Sequence, residues 1–212
     1  MTTSAALTGH GLYAITNGPR RDLLEVVAQA LEGGARLLQY FDEGTDHERQ
    51  HAEATAILQL CHAHGVPLII HEDATLALAI GADGVHVGSP GQELAAARAR
   101  LGSKAIIGVA CRDSLDSART AAREGANYVS FGAFFPSPTR PLAPRAPVEL
   151  LRQSAALGVA RVAIGGITAQ NGSLLVEAGA DFLAAISSVF GADNPRAAAR
   201  SLADLYIQPL EN

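Results

Sequence analysis

The 212-residue sequence has few cysteines, few aromatic residues and no long apolar run. Its two cysteines, Cys61 and Cys111, lack C-x-x-C spacing, which argues against a disulfide framework or a zinc knuckle and favours a reducing compartment. No uncharged apolar stretch reaches the roughly 18–20 residues of a membrane helix. The first ten residues lack the basic and apolar regions of a signal peptide. We therefore expect a cytoplasmic protein with no membrane role.

Charged residues are also scarce, at 17% of the chain, whereas hydrophobic residues make up 48%. This balance is too apolar for a disordered chain and predicts a globular fold. Aspartate and glutamate outnumber lysine and arginine by 21 to 16, which gives a net charge of −5. A protein that binds the phosphate backbone of nucleic acid is expected to be basic, so nucleic acid is excluded as an expected partner.

Short apolar runs alternate with alanine-rich amphipathic stretches along the chain, a pattern typical of repeated βα units. The predicted strands are 11–16, 37–40, 67–71, 84–87, 105–110, 128–131, 161–164 and 182–186. The predicted helices are 21–32, 46–64, 74–80, 92–101, 114–124, 148–157, 169–178 and 195–206.

The sequence at the junction between helix and strand is almost identical in four places. A glycine after the helix can adopt the left-handed conformation that ends it, and Ala-Asp or Ala-Asn then leads into the next strand. The four junctions are Gly34-Ala35-Arg36, Gly81-Ala82-Asp83, Gly125-Ala126-Asn127 and Gly179-Ala180-Asp181. In an alanine-rich chain such pairs also arise without a repeat.

Eight βα units with nearly continuous apolar strands predict an α/β fold, a single (β/α)8 TIM barrel over residues 1–212. The first strand is not followed by G-x-G-x-x-G, so a dinucleotide-binding half is not supported. In such barrels the chemistry lies at the carboxyl ends of the strands. The residues that leave each strand are therefore the candidates for function.

The loops after strands seven and eight have the character of a phosphate site. Gly165 and Gly166 follow strand seven, and Ile186 and Ser187 follow strand eight. Paired glycines let backbone N–H groups approach a ligand, and barrels commonly bind phosphate at this place. A tight turn without a ligand is the alternative.

The segment after strand six is long, from Gly132 to Pro147, and loops of this length are usually functional. Ser137 and Thr139 hydroxyls with the Arg140 guanidinium could hold an anion, since arginine pairs well with phosphate. A solvated proline-rich loop is an equally good interpretation of these residues alone.

His71, Glu72 and Asp73 follow strand three and place an imidazole beside two carboxylates. Mg²⁺ is commonly held by one or two carboxylates and substrate phosphates, so Glu72 and Asp73 are candidate magnesium ligands. The alternative is that Asp73 caps the next helix. His86, inside strand four, is expected to be a hydrogen-bonded core histidine, and Cys111 is expected to have no catalytic role.

Read in order, these segments resemble the thiamine-phosphate synthase (thiamine-phosphate pyrophosphorylase) and thiazole tautomerase family. The resemblance covers nearly the whole chain. It rests on residues 12–16, 34–39, 82–88, 134–140, 164–168 and 186–187. The family's fold is a TIM barrel, in agreement with the alternation.

The resemblance implies a transferase that joins hydroxymethylpyrimidine diphosphate to thiazole phosphate and releases diphosphate. It further implies catalytic roles for Ser137, Thr139 and Arg140, with Mg²⁺ as a weakly held cofactor. The implied partners are small phosphorylated molecules, and a homo-oligomer is possible. On the thiazole-phosphate half the matching residues are Gln39, Gly165, Gly166, Ile186 and Ser187; His71 is a further candidate substrate ligand.

The diphosphate and magnesium half departs from the family pattern. Arginine and lysine usually stand where this chain has Phe41 and Glu43, which lowers the local charge by three units. The usual Asn-Asp reads His71-Glu72, and the usual acidic residue is replaced by Gly91. Serine at the end of strand five reads Ala110, and the usual loop lysine reads Arg140.

Three functions are compatible with this sequence. The first is a synthase with weak or no activity, and the second is a non-catalytic or altered-function binder of thiazole phosphate. The third is a thiazole tautomerase, although Arg112 stands where those relatives carry a histidine.

Overall fold

The computed structural model describes residues 7–137 and 144–207, which form a closed parallel barrel. Its strands are β1 (Gly11–Ile15), β2 (Ala35–Tyr40), β3 (Leu68–His71), β4 (Gly84–Val87), β5 (Ile106–Arg112), β6 (Tyr128–Phe131), β7 (Ala160–Ile164) and β8 (Phe182–Ala185). Each strand pairs in parallel with the next, and β8 pairs with β1. The predicted (β/α)8 barrel is confirmed, whereas a single domain over 1–212 stays a prediction because it includes residues outside the described ranges.

The described α-helices cover the outside of this sheet. They are α1 (Leu23–Glu32), α2 (His47–Ala63), α3 (Ala74–Ile80), α4 (Gln92–Leu101), α5 (Leu115–Arg123), α6 (Glu149–Gln153), α7 (Gly172–Glu177), α8 (Ser187–Phe190) and α9 (Pro195–Ala203). None of the helices in the described ranges is both long enough and apolar enough to cross a membrane.

The differences from the sequence prediction are shifted element ends, one divided helix and one additional short helix. Strand β5 continues to Arg112, and the predicted helix 148–157 divides into α6 and a 3₁₀ turn at Ala155–Leu157. Helix α8 was not predicted, because its four residues are too few to show apolar periodicity.

The repeated glycine junctions have the predicted backbone conformation. Gly34, Gly81, Gly125 and Gly179 have φ angles of +101°, +72°, +89° and +97°. In three junctions the following Asp or Asn then accepts a hydrogen bond from a backbone N–H near the start of the preceding strand. These bonds are Leu68 N–H to Asp83 at 2.8 Å, Ile107 N–H to Asn127 at 2.7 Å and Arg161 N–H to Asp181 at 2.8 Å. The repeat therefore links neighbouring strands at the amino end of the barrel.

Alternate residues of each strand face the helices or the barrel interior, as the period of two requires. Leu12, Leu38 and Val85 belong to the core between sheet and helices. The interior cluster contains the side chains of Tyr13, Ile15, Leu37, Ile69, Tyr128, Val162 and Phe182.

Polar side chains join this interior at positions nearer the carboxyl ends of the strands. Gln39, His86 and Ser130 are buried there, with exposed fractions of 3%, 9% and 7%. The polar end of the interior therefore coincides with the edge at which barrel enzymes carry their sites.

Candidate functional site

Gln39, on β2, connects strands β1 and β3 by hydrogen bonds. Its Oε1 accepts from the Tyr13 hydroxyl at 2.7 Å, and its Nε2 lies 3.1 Å from His71 Nδ1. The predicted substrate ligands Gln39 and His71 are thus brought into direct contact. Because Gln39 is almost fully buried, both bonds fix the orientation of its amide.

His71 has two other rings as neighbours at the mouth of the barrel. The Phe41 ring centroid is 4.6 Å away at an interplanar angle of 59°, and the His86 ring is stacked at 6.4 Å. The backbone of Phe41 is held by Thr16, whose hydroxyl accepts from the Phe41 N–H at 2.8 Å and donates to its carbonyl at 3.0 Å. An aromatic ring therefore occupies the position at which the family pattern has a cation.

Arg49, on α2, does not replace that cation, because carboxylates already bind it. Its Nη1 lies 2.6 Å from Asp42 Oδ2 and 2.8 Å from Glu53 Oε2. Burial opposes ionisation of Asp42, but hydrogen bonds from Arg49 and the Gly44 N–H outweigh it and lower the pKa of this carboxyl. Glu43 beside this cluster is exposed. With Asp42, Glu43 and Glu53 against Arg49 alone, these four residues carry excess negative charge.

The two predicted metal ligands after β3 have different surroundings. Asp73 Oδ1 accepts from the Thr75 and Leu76 N–H groups, each at 2.8 Å, and so caps α3, as the alternative interpretation predicts. The Glu72 side chain is 57% exposed, and its Oε1 lies 4.0 Å from His71 Nε2. Glu72 also has a φ angle of +51°, unusual for a residue other than glycine.

In the loop after β4, Gly91 stands where the family pattern has an acidic residue, so this position supplies no carboxylate. The Gly91 φ angle is +83°, and its N–H donates to Glu124 at 2.6 Å. Glu93, in the first turn of α4, accepts from the Ser89 N–H at 3.0 Å. Across the described ranges, no group of three or more His, Cys, Asp or Glu side chains is arranged to hold a metal ion.

Gly165 and Gly166 have φ angles of +101° and +65°, and both positions require glycine for packing. A Cβ on Gly165 would lie 2.5 Å from the Ala133 Cβ, and one on Gly166 would lie 2.3 Å from the Pro136 carbonyl oxygen. Asn171, which sequence reasoning missed, donates to the Gly166 carbonyl at 3.0 Å. The absence of a Cβ at both glycines thus lets the loop after β7 pack closely against the loop after β6.

The loop after β8 leads directly into α8. Ile186 precedes this helix and Ser187 is its first residue. Strands β7 and β8 are neighbours in the sheet, with Ile164 paired to Ala184. The structure therefore brings the two predicted phosphate loops to adjacent strand ends.

The base of the loop after β6 is tied to β7. Phe134 N–H donates to the Ile164 carbonyl at 3.2 Å, and Phe135 N–H donates to Gly165 at 3.0 Å. Ser137 is the last described residue of this loop, so Thr139 and Arg140 lie outside the described residues.

His86 has the buried, hydrogen-bonded environment that the sequence predicts, and Cys111 is buried as well. His86 Nδ1 lies 3.1 Å from the Tyr128 hydroxyl, and burial, together with the charge of His71, lowers its pKa to about 3. Cys111 is buried, which raises the pKa of its thiol to about 11. Near neutral pH the Cys111 thiol therefore remains protonated and is a poor nucleophile.

Comparison with known proteins agrees with this architecture. The family described as "Thiamine monophosphate synthase" matches residues 12–189. The chain belongs to this family. It is 50% identical over 198 residues to the thiamine-phosphate synthase of Chromobacterium violaceum, covering 92% of this chain and 96% of the relative. It is 48% identical to that of Halorhodospira halophila, covering 91% and 92% of the two chains.

A solved structure supports the same assignment. The thiamine phosphate pyrophosphorylase from Pyrococcus furiosus has a TM-score of 0.83 and 30% identity, with 92% of this chain and 94% of that chain covered. The family resemblance and the transferase class expected from the sequence are both confirmed.

Proposed function

We propose that this chain joins hydroxymethylpyrimidine diphosphate to thiazole phosphate and releases diphosphate. Family membership over residues 12–189 is the observation that carries the proposal. The polar barrel mouth supports it, because Gln39, His71 and the paired glycines all lie near the carboxyl ends of their strands, on one side of the molecule. The protein would act in the cytoplasm on small molecules.

The thiazole phosphate is assigned to the loops after β7 and β8. Gly165 and Gly166 allow close approach to the backbone, and Ile186 and Ser187 leave the neighbouring strand. Backbone N–H groups in such turns favour an anion without a charged side chain. This half of the site therefore depends on backbone shape.

The pyrimidine diphosphate is assigned to the opposite part of the mouth, near Gln39, His71 and Glu72. The bond between its methylene carbon and the diphosphate oxygen breaks with both electrons leaving on the diphosphate. The thiazole nitrogen lone pair then forms the new carbon–nitrogen bond. Ser137, Thr139 and Arg140 would hold the departing diphosphate, because catalysis of this type depends on stabilising developing negative charge.

Mg²⁺ belongs to this proposal as a cofactor bound together with diphosphate. Glu72 fits as a protein ligand because its carboxylate is more than half exposed, whereas an Asp73 oxygen is occupied in capping α3. One carboxylate with substrate phosphates is an ordinary way to hold this ion. When bound, Mg²⁺ would neutralise charge on the leaving group.

The test is diphosphate release with both substrates and Mg²⁺, compared with reactions that lack either substrate. Release that requires both substrates would support the synthase. Binding of thiazole phosphate alone, with no turnover, would instead identify the chain as a non-catalytic binder. This second candidate is favoured because Phe41 and Glu43 stand where the family pattern has two cations. Arg49 does not compensate, since it is bound by Asp42 and Glu53.

A thiazole tautomerase is less well supported. Arg112 stands at the end of β5 where those relatives carry a histidine, and it has a φ angle of +53°. A guanidinium stays protonated and cannot serve as the general base that such a reaction requires.

A further inference from the structure

Helix α2 begins with a pair of histidines that the proposed reaction does not use. Its first five residues are His47-Glu48-Arg49-Gln50-His51, so one helical turn separates the two histidines. Side chains at positions i and i+4 lie on the same face of a helix, and H-E-x-x-H on a helix is a spacing that lets two imidazoles bind one zinc ion. Both His47 and His51 are exposed, so an ion can reach them from solvent.

Gln50 determines which ring nitrogen of His47 carries a hydrogen. The Gln50 side chain is buried, and its Nε2 lies 2.8 Å from the Gly44 carbonyl oxygen and 3.3 Å from the Asp42 carbonyl oxygen. Carbonyl oxygens can only accept hydrogen bonds, so the amide nitrogen must face them. Gln50 Oε1 therefore faces His47 Nδ1, 3.1 Å away, and accepts its hydrogen. A neutral His47 then has its free lone pair on Nε2.

The hydrogen bond between His47 and Gln50 has the form found at metal-binding histidines. Such a histidine usually donates its second ring N–H to a neighbouring acceptor, which orients the ring and leaves the other nitrogen for the metal. Because Gln50 is itself held by backbone carbonyls of the loop after β2, its position does not depend on an ion. The orientation of His47 is therefore built into the protein.

The charge around the two histidines favours a cation. Residues 42–53 contain one arginine, which is bound by Asp42 and Glu53. The same segment contains five carboxylates, those of Asp42, Glu43, Asp46, Glu48 and Glu53. Three of these, at positions 43, 46 and 48, belong to exposed residues. A surface of one sign of charge raises the local concentration of ions of the opposite sign.

We propose that His47 and His51 form a binding site for Cu²⁺ or Zn²⁺, with Gln50 orienting His47. Imidazole nitrogen suits both ions, and Cu²⁺ is expected to bind more tightly than Zn²⁺. In the part of the chain that the structure describes, no group of three or more His, Cys, Asp or Glu side chains is placed to hold an ion, so water would complete the coordination. We therefore assign ion binding to this site and no hydrolytic reaction.

The first test is electron paramagnetic resonance of chelator-treated protein with one equivalent of Cu²⁺ near neutral pH. Coordinated imidazoles split the copper signal through their nitrogen nuclei, and the pattern distinguishes one bound nitrogen from two. We expect two in the native chain and one or none in His47→Gln and in His51→Gln. Excess Mg²⁺ should leave the spectrum unchanged, because Mg²⁺ prefers oxygen ligands. The same spectrum in all three proteins would overturn the proposal.

A matched variant separates the spacing of the histidines from their number. His51→Ala combined with Ala52→His exchanges two exposed positions, so the histidine count is kept while the spacing from His47 becomes five residues. Residues five apart do not share a helix face, so the two-nitrogen spectrum should be lost. His64→Gln, just beyond the end of α2, is the control that should retain it. A two-nitrogen spectrum in the spacing variant would show that the pair is not the site.

Calorimetry with Zn²⁺ tests the role of Gln50. Loss of an orienting partner typically lowers metal affinity about 10–100-fold, so Gln50→Leu should weaken Zn²⁺ binding at least about tenfold although both histidines remain. Unchanged affinity would contradict the orienting role. His47→Gln and His51→Gln alter exposed side chains, so they test the site even if Gln50→Leu does not fold. The site is independent of the proposed reaction: a chain that binds Cu²⁺ through both histidines but shows no turnover refutes the proposed function alone.

Discussion

Replacing Phe41 by arginine should increase synthase turnover, because it restores a cation at the mouth of the barrel. Phe41 is half-buried and contacts His71, so a guanidinium there would lie beside the presumed leaving group. The substitution should not disturb the backbone, since Thr16 holds the Phe41 N–H and carbonyl whatever the side chain.

The size of the effect follows from burial. One preorganised contact to developing negative charge typically contributes about 2.7–4 kcal/mol, and 2.7 kcal/mol corresponds to a rate change of about 100-fold. Glu43 is exposed, and exposed charge pairs contribute only about 0–1 kcal/mol. We therefore expect about 100-fold from Phe41→Arg and at most about fivefold from Glu43→Lys.

At the proposed magnesium site, the two substitutions that restore family residues are expected to differ in their effect on the backbone. Glu72→Asp is compatible with the φ angle of +51°, because aspartate adopts the left-handed region more readily than glutamate. Gly91→Asp would place a side chain at φ +83° and ψ −122°, where strain of about 1–3 kcal/mol is expected. The backbone conformation at position 91 thus requires glycine. Gly91→Asp should therefore be left out when family residues are restored at this site.

The assay is steady-state diphosphate release, with kcat and KM measured for each substrate. Phe41→Met removes the ring without adding charge, and Glu48→Lys makes the Glu43 charge change at another exposed position. Thiazole-phosphate affinity should stay within about twofold, because its proposed site follows β7 and β8. A native chain that turns over as fast as Phe41→Arg would show that the lost cation does not limit catalysis.

Three further predictions concern ligands and pH. Phosphate or sulfate soaked into crystals should bind the backbone at Gly165–Gly166 and Ile186–Ser187, and an anion found solely elsewhere at saturation would contradict this assignment. Mg²⁺ should bind the free protein more weakly than about 1 mM in calorimetry, because one or two carboxylates must hold an ion that keeps its waters; tight binding would refute it. Because the folded pKa of His86 is about 3 and the ordinary value is 6.5, the unfolded chain alone takes up this proton between those values. The free energy of unfolding should therefore fall by about 1 kcal/mol per pH unit below pH 6.5 through this group. In urea titrations at pH 7.5 and 5, the free energy of unfolding should change less with pH in His86→Gln than in the exposed control His51→Gln. An equal change in both variants would contradict a buried neutral imidazole.

The barrel could be predicted because its signals are local and repeated. Strand and helix patterns alternate eight times, and each glycine junction ends a helix by the conformation of one residue. The Asp or Asn that follows acts on a neighbouring strand in the same unit, as Asp83 does on Leu68. Several copies of one local rule are sufficient to define the architecture.

The hydrogen bonds across the barrel interior could not be predicted in the same way. Alternation places Tyr13 and Tyr128 inside the barrel, but their hydroxyls meet across 115 positions of sequence. No local pattern states which inward-facing side chains lie at the same height after the sheet closes, because strand stagger decides it. The ion pair of Arg49 with Glu53, by contrast, is local, because the two residues lie four positions apart on α2.

The two halves of the candidate site differ in how they tolerate sequence change. The proposed phosphate half consists of backbone at Gly165 and Gly166, where any Cβ would collide with the neighbouring loop. Substitution of nearby side chains leaves that surface intact, so its ligand class should persist across the family. The proposed diphosphate half would depend on side-chain charge, and Phe41 and Glu43 lower that charge without changing the barrel. Loss of catalysis with retention of thiazole-phosphate binding is therefore the physically accessible change for this fold, and the Phe41→Arg experiment measures how far this chain has moved toward it.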